Sequence, residues 1–359
     1  MKKLIFSIIG AGNGGHAFAV HLTLLGFKVN LYDVDPERVQ ELKITGKIRA
    51  EGALKGEVSI NLITNKINEA IVNTDIIMVV IPSVYHASIA KAMAPYVSGD
   101  QIIVLNPGAT GGALEVMNIL KEEECSSIPV VAETNTLLYA CRSPRSGEVL
   151  ISGLKEKVCV AALPSRKATQ VANLLNQAFP QFQPVSSIMM TSLENVNAML
   201  HPAPTILNAG RIESQEVFRY YFDGVTPSIA ALIEQMDNER LEVGKALGAN
   251  LPSVSDWYGY SYGVQGESLY DKIQGVTAYE GIQGSTSLNN RYLFEDIPTG
   301  LVPLSELGKA VGIETPTINA IVELGNTLLK RNFWEEGRSL KRLGLEGKSS
   351  TQILELLSS

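Results

Sequence analysis

The chain begins with a short apolar stretch that stops at three closely spaced glycines. Residues 4–9 are rich in isoleucine, and Gly10, Gly12 and Gly15 follow in the spacing G-x-G-x-x-G. Apolar residues at helical spacing come after the turn, and a second apolar stretch ends at Asp33. The order of strand, tight turn, helix, strand and carboxylate is typical of a β-α-β unit that binds a dinucleotide. This unit constrains the fold more than any other stretch of the chain.

Each glycine of this turn has a physical role in such a unit. Gly10 allows the tight turn, Gly12 lets a pyrophosphate approach bare backbone, and Gly15 lets the helix pack closely on the strand. The amides at the start of the helix then face the phosphates. Asp33 would accept hydrogen bonds from the adenosine ribose and repel a 2′-phosphate, which predicts NAD(H), whereas the nearby Arg38 leaves NADP(H) possible. The alternative is a plain structural turn, because a lone glycine motif is weak evidence.

Length and composition limit the classes of protein to which the chain can belong. At 359 residues it exceeds what one hydrophobic core usually supports, so we expect two domains. A net charge of −7 argues against nucleic acid and anionic membranes as partners. The 3 cysteines show no C-x-x-C pairing and there are only 4 histidines, so we expect no disulfide framework and no metal site. The first apolar run is too short for a signal peptide or a membrane span, which predicts a cytoplasmic protein.

The pattern of apolar residues predicts an α/β domain followed by a mainly α domain. Apolar strands at residues 76–81 and 101–105 alternate with helices, which indicates a doubly wound, mainly parallel sheet. Residues 46–65 predict a hairpin or an irregular insertion. From residue 186 onward helical periodicity dominates, so the predicted domains are a dinucleotide-binding domain at residues 1–185 and a helical domain at residues 186–359. Within the second domain, helices are predicted over residues 191–210, 228–247, 302–311 and 316–331.

Turns rich in proline and polar residues follow the predicted strands of the first domain. In a doubly wound sheet, ligands collect beyond the carboxyl ends of the strands, so Pro82 and Asn106 should border the nicotinamide. Alternatively, these residues simply terminate strands. The predicted cofactor-binding residues are therefore Gly10, Gly12, Asn13, Gly14, Gly15, Asp33, Pro82 and Asn106.

A dehydrogenase also needs a group that transfers a proton near neutral pH, and histidine suits this role. His201 lies in the second domain, four residues after Asn197, so the two share a helical face. Pro202 and Pro204 follow immediately and predict a kink beside the histidine. Spacing alone leaves two interpretations open, a structural histidine with a satisfied hydrogen bond and a catalytic one.

Two further residues of the second domain complete this candidate site. Asp296 could fix the tautomer of a catalytic histidine and stabilise its cation. Arg291 could bind a substrate carboxylate through its planar guanidinium group. A surface salt bridge is the alternative interpretation for each of them.

Four stretches of the sequence together resemble the opine dehydrogenase family. They are GAGNGGHAFA, NPGATGGALE, NVNAMLHPAPTILNA and RYLFEDIPTGLVPLSELG, and the resemblance extends from Leu4 to about Leu345. It implies a Rossmann domain joined to a helical domain of the kind found at the C-terminus of 6-phosphogluconate dehydrogenase, in a homodimer. It also implies reversible reductive condensation, in which an L-amino acid and a 2-keto acid such as pyruvate form an imine that NADH reduces.

The resemblance also assigns roles to individual residues. It implies that His201 is the general acid/base, that Asp296 orients it, and that Asn197 helps position the substrate. It implies that Arg291 binds a carboxylate, and Thr134, at a predicted strand end, is expected near the keto acid. The choice of amino acid should depend on residues 257–282. There Trp257, Tyr258, Tyr260 and Tyr262 form either an apolar wall of the site or part of the core.

Two other functions share parts of this pattern. A reductase of the ketopantoate or glycerol-3-phosphate dehydrogenase kind usually employs a catalytic lysine. Residues 186–300 contain only Lys245 and Lys272, and neither is next to the segment that holds His201. A non-enzymatic NAD(H) sensor is the other alternative. It would bind cofactor without needing His201.

Overall fold

The computed structural model describes residues 3–358, and contacts divide them into two compact units. Unit 1 comprises residues 3–192 together with 357 and 358, and unit 2 comprises residues 193–356. The predicted boundary after residue 185 lies shortly before this division.

Unit 1 contains an eight-stranded sheet and a separate four-stranded sheet. The strands are β1 (Ile5–Ile9), β2 (Lys28–Tyr32), β3 (Lys47–Gly52), β4 (Gly56–Ser59), β5 (Leu62–Thr64), β6 (Ile76–Val79), β7 (Ile102–Leu105), β8 (Val130–Thr134), β9 (Tyr139–Arg142), β10 (Glu148–Leu154), β11 (Val158–Leu163) and β12 (Phe182–Pro184). The order of the large sheet is β12-β11-β8-β7-β6-β1-β2-β5. All neighbours pair in parallel except β8 and β11, which confirms the predicted mainly parallel sheet.

Helices alternate with the strands of the large sheet. They are α1 (Asn13–Leu24), α2 (Pro36–Thr45), α3 (Ile67–Ile71), α4 (His86–Met93), α5 (Gly112–Glu122), α6 (Ala168–Leu175) and α7 (Ile188–Ser192), with 3₁₀ turns at Ser83–Tyr85 and Ser165–Lys167. The central strands β6 and β7 are buried at every position, which explains their unbroken apolar sequences.

The four-stranded sheet packs against α1 and has the order β4-β3-β10-β9. Strands β3 and β4 form the hairpin predicted within residues 46–65, whereas β5 from the same stretch joins the large sheet. The pairing of β3 with β10 is parallel and joins segments about a hundred residues apart, Arg49 lying opposite Glu148. Sequence patterns predicted neither this pairing nor β9, because pairing between distant segments leaves no local signal.

Unit 2 is helical, as predicted. Its helices are α8 (Asn197–Leu200), α9 (Pro202–Leu207), α10 (Ala209–Glu213), α11 (Pro227–Ala246), α12 (Val254–Tyr262), α13 (Leu269–Gln274), α14 (Arg291–Phe294), α15 (Val302–Val311), α16 (Pro316–Leu329), α17 (Phe333–Glu336) and α18 (Ser350–Ser358). A 3₁₀ turn at Thr277–Tyr279 and a π-helix at Ile297–Leu301 lie between them, and the last two residues of α18 belong to unit 1. Among residues 3–358, no helix combines the length and apolar character needed to cross a bilayer.

The single helix predicted over residues 191–210 is wrong. The segment consists of α7, α8, α9 and α10, and His201 separates α8 from α9 with φ −105° and ψ −53°. Pro202 and Pro204 lack the backbone N–H that a continuous helix needs at those positions. The break therefore confirms the predicted kink beside His201.

A buried histidine joins the start of α1 to the turn between β9 and β10. Nδ1 of His16 donates to the carbonyl oxygen of Gly12 at 3.0 Å, and the backbone N–H of Gly147 donates to Nε2 at 3.1 Å. Because Nε2 accepts a hydrogen bond, the ring is neutral. Burial lowers the pKa of His16 below its ordinary value.

The lowered pKa predicts that His16 makes the stability of unit 1 depend on pH. Below pH 6.5 the unfolded chain protonates His16 more readily than the folded chain does, so the stabilisation present above pH 6.5 is lost as pH falls through the folded pKa. We expect the free energy of unfolding to fall less between pH 7.5 and 5.5 in His16→Gln than in the wild type, as measured by urea denaturation.

Asn13→Ala is the matched control for this experiment. The Asn13 side chain accepts a hydrogen bond from the backbone N–H of Ser143 in the same turn, but it does not titrate. Loss of this hydrogen bond should lower the free energy of unfolding by the same amount at pH 7.5 and at pH 5.5. Equal pH dependence in His16→Gln and the wild type would contradict the prediction.

Candidate active site

The glycine turn of unit 1 has the shape that a dinucleotide phosphate requires. Gly10 has φ +106°, and a Cβ built on Gly15 would lie 1.7 Å from the carbonyl oxygen of Gly10. A Cβ on Gly12 would meet nothing within 4 Å, so bare backbone is open at the start of α1. A Cβ on Gly14 would press on Val80 at 2.8 Å. These residues fit a pyrophosphate held by the amides of a helix N-terminus.

Asp33 lies at the end of β2 with its carboxylate fixed on both oxygens. Oδ2 accepts from the backbone N–H of Ala11 at 2.7 Å and from Arg38 Nη1 at 3.2 Å, and Oδ1 accepts from the N–H of Asp35 at 3.0 Å. The carboxylate is buried, whereas the Arg38 side chain is 44% exposed. A fixed negative charge suits ribose hydroxyls, and the adjacent guanidinium offsets part of the repulsion of a 2′-phosphate.

The remaining predicted residues of unit 1 lie where their strands end. Asn106 is buried after β7, and its amide donates to the carbonyl oxygen of Val104 at 2.8 Å. Its Oδ1 has no hydrogen-bond partner among the described residues, so it can accept from a carboxamide such as that of nicotinamide. Pro82 is exposed beyond β6. The buried Thr134 hydroxyl contacts the carbonyl oxygens of Leu105 and Thr136, at 3.3 and 2.9 Å.

Glu133, the residue before Thr134, is a buried carboxylate to which the sequence pattern assigned no role. Glu133 accepts hydrogen bonds from the Ala113 N–H at 2.8 Å, the Thr191 hydroxyl at 2.9 Å and the Ser192 hydroxyl at 2.6 Å. It therefore ties the first turn of α5 to α7, where its charge is favourable at a helix N-terminus. The sequence signal that could have identified this residue is a glutamate at the end of an otherwise apolar strand.

His201 and Asp296 form a buried pair within unit 2. Nδ1 of His201 lies 2.7 Å from Oδ2 of Asp296, and the two side chains are 10% and 9% exposed. With the Nδ1 proton directed to the carboxylate, a neutral imidazole keeps its lone pair on Nε2. The pair therefore presents Nε2 as the atom that can accept and return a proton.

The surroundings of His201 fix its backbone and its ring. The carbonyl oxygen of His201 accepts from the Thr205 hydroxyl and from the Tyr220 hydroxyl, both at 2.7 Å. The Tyr292 ring stacks on the imidazole with a centroid distance of 3.9 Å and an interplanar angle of 17°. The break between α8 and α9 is thus held in a single conformation, with the ring aligned toward Asp296.

The other predicted residues of unit 2 differ in their exposure to solvent. Asn197 is exposed at the start of α8, and Arg291 is 71% exposed and pairs with Glu295 at 3.3 Å. In the four-residue aromatic group of α12, Tyr258 is fully buried and is therefore core. Tyr260 and Tyr262 are exposed by 59% and 40%.

Unit 1 has a mainly parallel sheet with an open glycine turn, and unit 2 is helical with a buried His–Asp pair. These features define a two-domain NAD-dependent dehydrogenase. Residues 6–131 match the family model of the N-terminus of NAD-dependent glycerol-3-phosphate dehydrogenase. Residues 184–329 match the model of the α-helical domain of NAD/NADP octopine/nopaline dehydrogenase.

Comparison with individual proteins identifies the family. The chain is 45% identical to an opine dehydrogenase of Arthrobacter sp. (strain 1C), over 98% of both chains. The chain belongs to the opine dehydrogenase family, whose members are oxidoreductases acting on CH–NH groups, and the resemblance in its motifs is confirmed.

Solved structures share this fold. An octopine dehydrogenase with NADH and L-arginine matches with a TM-score of 0.82 at 20% identity, over 98% of both chains. A ketopantoate reductase from Ralstonia eutropha matches with a TM-score of 0.64 at 17% identity, over 91% of this chain and 99% of that one.

The contacts of Asp33 predict that this residue sets the cofactor preference. Asp33→Asn removes the charge that repels a 2′-phosphate and leaves Arg38 without its carboxylate partner. We expect the ratio of the Kd for NADPH to the Kd for NADH to fall on the order of tenfold, measured by fluorescence titration. Asp35→Asn is the control, because Asp35 caps α2. An equal change in both variants would refute the assignment.

Proposed function

We propose that the chain catalyses the reversible condensation of an L-amino acid with a 2-keto acid such as pyruvate, giving an N-(1-carboxyalkyl) amino acid. The observation that carries this proposal is the buried His201–Asp296 pair in a chain 45% identical to an opine dehydrogenase. NADH is the preferred cofactor and NADPH a possible one. When bound, the cofactor supplies the hydride that reduces the imine carbon.

His201 is proposed as the general acid/base. The amino acid arrives as an ammonium ion, and its nitrogen can attack the keto carbon only after it loses a proton. Neutral His201 accepts that proton at Nε2 and donates it to the keto oxygen as the carbon–nitrogen bond forms, which gives a carbinolamine. A second proton then passes through Nε2 from the nitrogen to the hydroxyl group, which leaves as water as the carbon–nitrogen double bond of the protonated imine forms. Because Nδ1 is held by Asp296 at 2.7 Å, the carboxylate stabilises the imidazolium that forms in each of these steps.

Substrate positioning is proposed for three other residues. Arg291 can bind a carboxylate through its guanidinium group, which requires it to exchange Glu295 for the substrate. Asn197 offers an exposed amide four residues before His201. Thr134, at the end of β8, is proposed to lie near the keto acid.

We also propose that the chain works as a cytoplasmic homodimer with domains at residues 1–185 and 186–359. The resemblance to the family supports the dimer, and the absence of paired cysteine motifs supports a reducing compartment. Sedimentation analysis tests the oligomeric state.

The activity predicts a specific substrate requirement. NADH oxidation should need pyruvate and an amino acid together, because the imine forms only from both. The assay uses pyruvate alone, an L-amino-acid panel alone, and the combinations, each with NADH and NADPH. Oxidation with keto acid alone would instead indicate a simple ketoreductase, and cofactor binding without any turnover would favour a sensor.

The acid/base assignment predicts the effect of replacing the histidine. His201→Asn should lower kcat about 10²–10⁴-fold, because proton transfer loses its side chain, while the Kd for NADH changes less than about twofold. Asp296→Asn should lower kcat as well. The control is Asp256→Asn, because Asp256 is an exposed capping residue of α12 in the same unit. Normal turnover in His201→Asn would remove His201 from the mechanism.

A further inference from the structure

A tyrosine hydroxyl faces the reactive nitrogen of His201. The hydroxyl oxygen of Tyr221 lies 3.4 Å from Nε2, on the opposite side of the ring from the contact between Nδ1 and Asp296. Tyr221 is 5% exposed. Sequence reasoning singled out Asp296 as the partner of His201 and did not consider Tyr221.

Two aromatic rings of unit 2 contact the ring of Tyr221, and a third neighbour contacts its backbone. It stacks on Tyr279 with a centroid distance of 4.0 Å and an interplanar angle of 19°. Its contact with Tyr220 is edge-to-face, at 5.0 Å and 87°. The Gln274 side-chain amide donates to the backbone carbonyl oxygen of Tyr221 at 3.4 Å. A ring stacked on one aromatic side chain and in edge-to-face contact with another is restrained, so the hydroxyl stays beside Nε2.

The phenol can serve both protonation states of the imidazole. It donates to the lone pair of neutral Nε2, and it accepts from the N–H of the imidazolium. The second hydrogen bond is charge-assisted and about twice as strong as the first, so the hydroxyl favours the protonated ring. Burial raises the pKa of Tyr221 well above its ordinary value, so the group remains a neutral phenol and brings no competing charge.

We propose that Tyr221 is a positioning residue for the acid/base: its hydroxyl accepts from the Nε2 N–H in the interval between proton removal from the amine and proton delivery to the leaving oxygen, and the substrate atom replaces this 3.4 Å contact at each transfer. The proposal rests on the proposed function of His201. Each titratable group that contacts His201 meets a different part of the residue. Asp296 contacts Nδ1, Tyr220 the backbone carbonyl, Tyr292 the ring face and Tyr221 the reactive nitrogen.

The contact between Tyr221 and Nε2 can be tested without turnover. Tyr221→Phe keeps the packed ring and removes the hydroxyl alone. In protein labelled with ¹⁵N in its histidines, we expect the Nε2 resonance of His201 to move to higher frequency in this variant, because the nitrogen loses a hydrogen-bond donor. Tyr279→Phe is the matched control, since its hydroxyl contacts Tyr262 at 3.2 Å and not His201. An unchanged resonance in Tyr221→Phe, or equal changes in both variants, would overturn the proposal.

The role of the hydroxyl in turnover is tested by the pH profile. Tyr221→Phe removes the oxygen that accepts from the imidazolium N–H, so the protonated ring becomes less stable relative to the neutral ring. The acid limb of kcat/KM should therefore move to lower pH by about 0.5–1 unit in this variant. We expect kcat to fall about tenfold with less change in KM. A profile that coincides with that of the wild type would overturn the positioning role. Absence of turnover in the wild type would refute the proposed function and leave the NMR result to decide the contact.

Discussion

The hydrogen bond between His201 and Asp296 is the interaction on which the candidate site depends. It joins residues 95 positions apart in the sequence and lies where water has little access. A carboxylate buried without a partner costs several kcal/mol, so Asp296 can be buried only because the imidazole accompanies it. The same pairing directs the imidazole lone pair to Nε2. One contact therefore stabilises the fold of unit 2 and orients the imidazole ring.

The backbone on each side of this pair departs from regular α-helix. His201 separates α8 from α9, and Asp296 precedes the π-helix Ile297–Leu301, where the N–H of Leu301 reaches the carbonyl oxygen of Asp296 at 3.1 Å. The π-helix packs on α8, and a Cβ on Gly300 would lie 2.6 Å from the Cβ of Ala198. A glycine at this position therefore allows the close approach that brings Asp296 to His201.

Local signals in the sequence predicted the parts of the structure that local interactions decide. The glycine turn, the helix opened by Pro36 and the buried strand β7 follow from sterics, capping and apolar runs within a few residues. The parallel pairing of β3 with β10, the contacts of Glu133 and those of Tyr221 were missed, because each depends on partners distant in the sequence. The candidate site was predicted in part. The His201 kink was predicted from Pro202, but the partner of Nε2 became visible only when the chain was folded.

The comparison with reductases of similar architecture shows why the site rather than the fold decides the chemistry. A ketopantoate reductase shares the fold at 17% identity, so the architecture alone is compatible with either reaction. A lysine acid/base is the expected feature of that alternative, and the two lysines of residues 186–300 are placed elsewhere. Lys245 is exposed on α11, and the ammonium of Lys272 donates to the carbonyl oxygen of Ser255 at 3.0 Å. His201, by contrast, is buried, oriented by a carboxylate and contacted at its second nitrogen by a phenol. Among these three side chains, the imidazole is therefore the one with neighbouring groups at both of its nitrogens, which supports the role proposed for it.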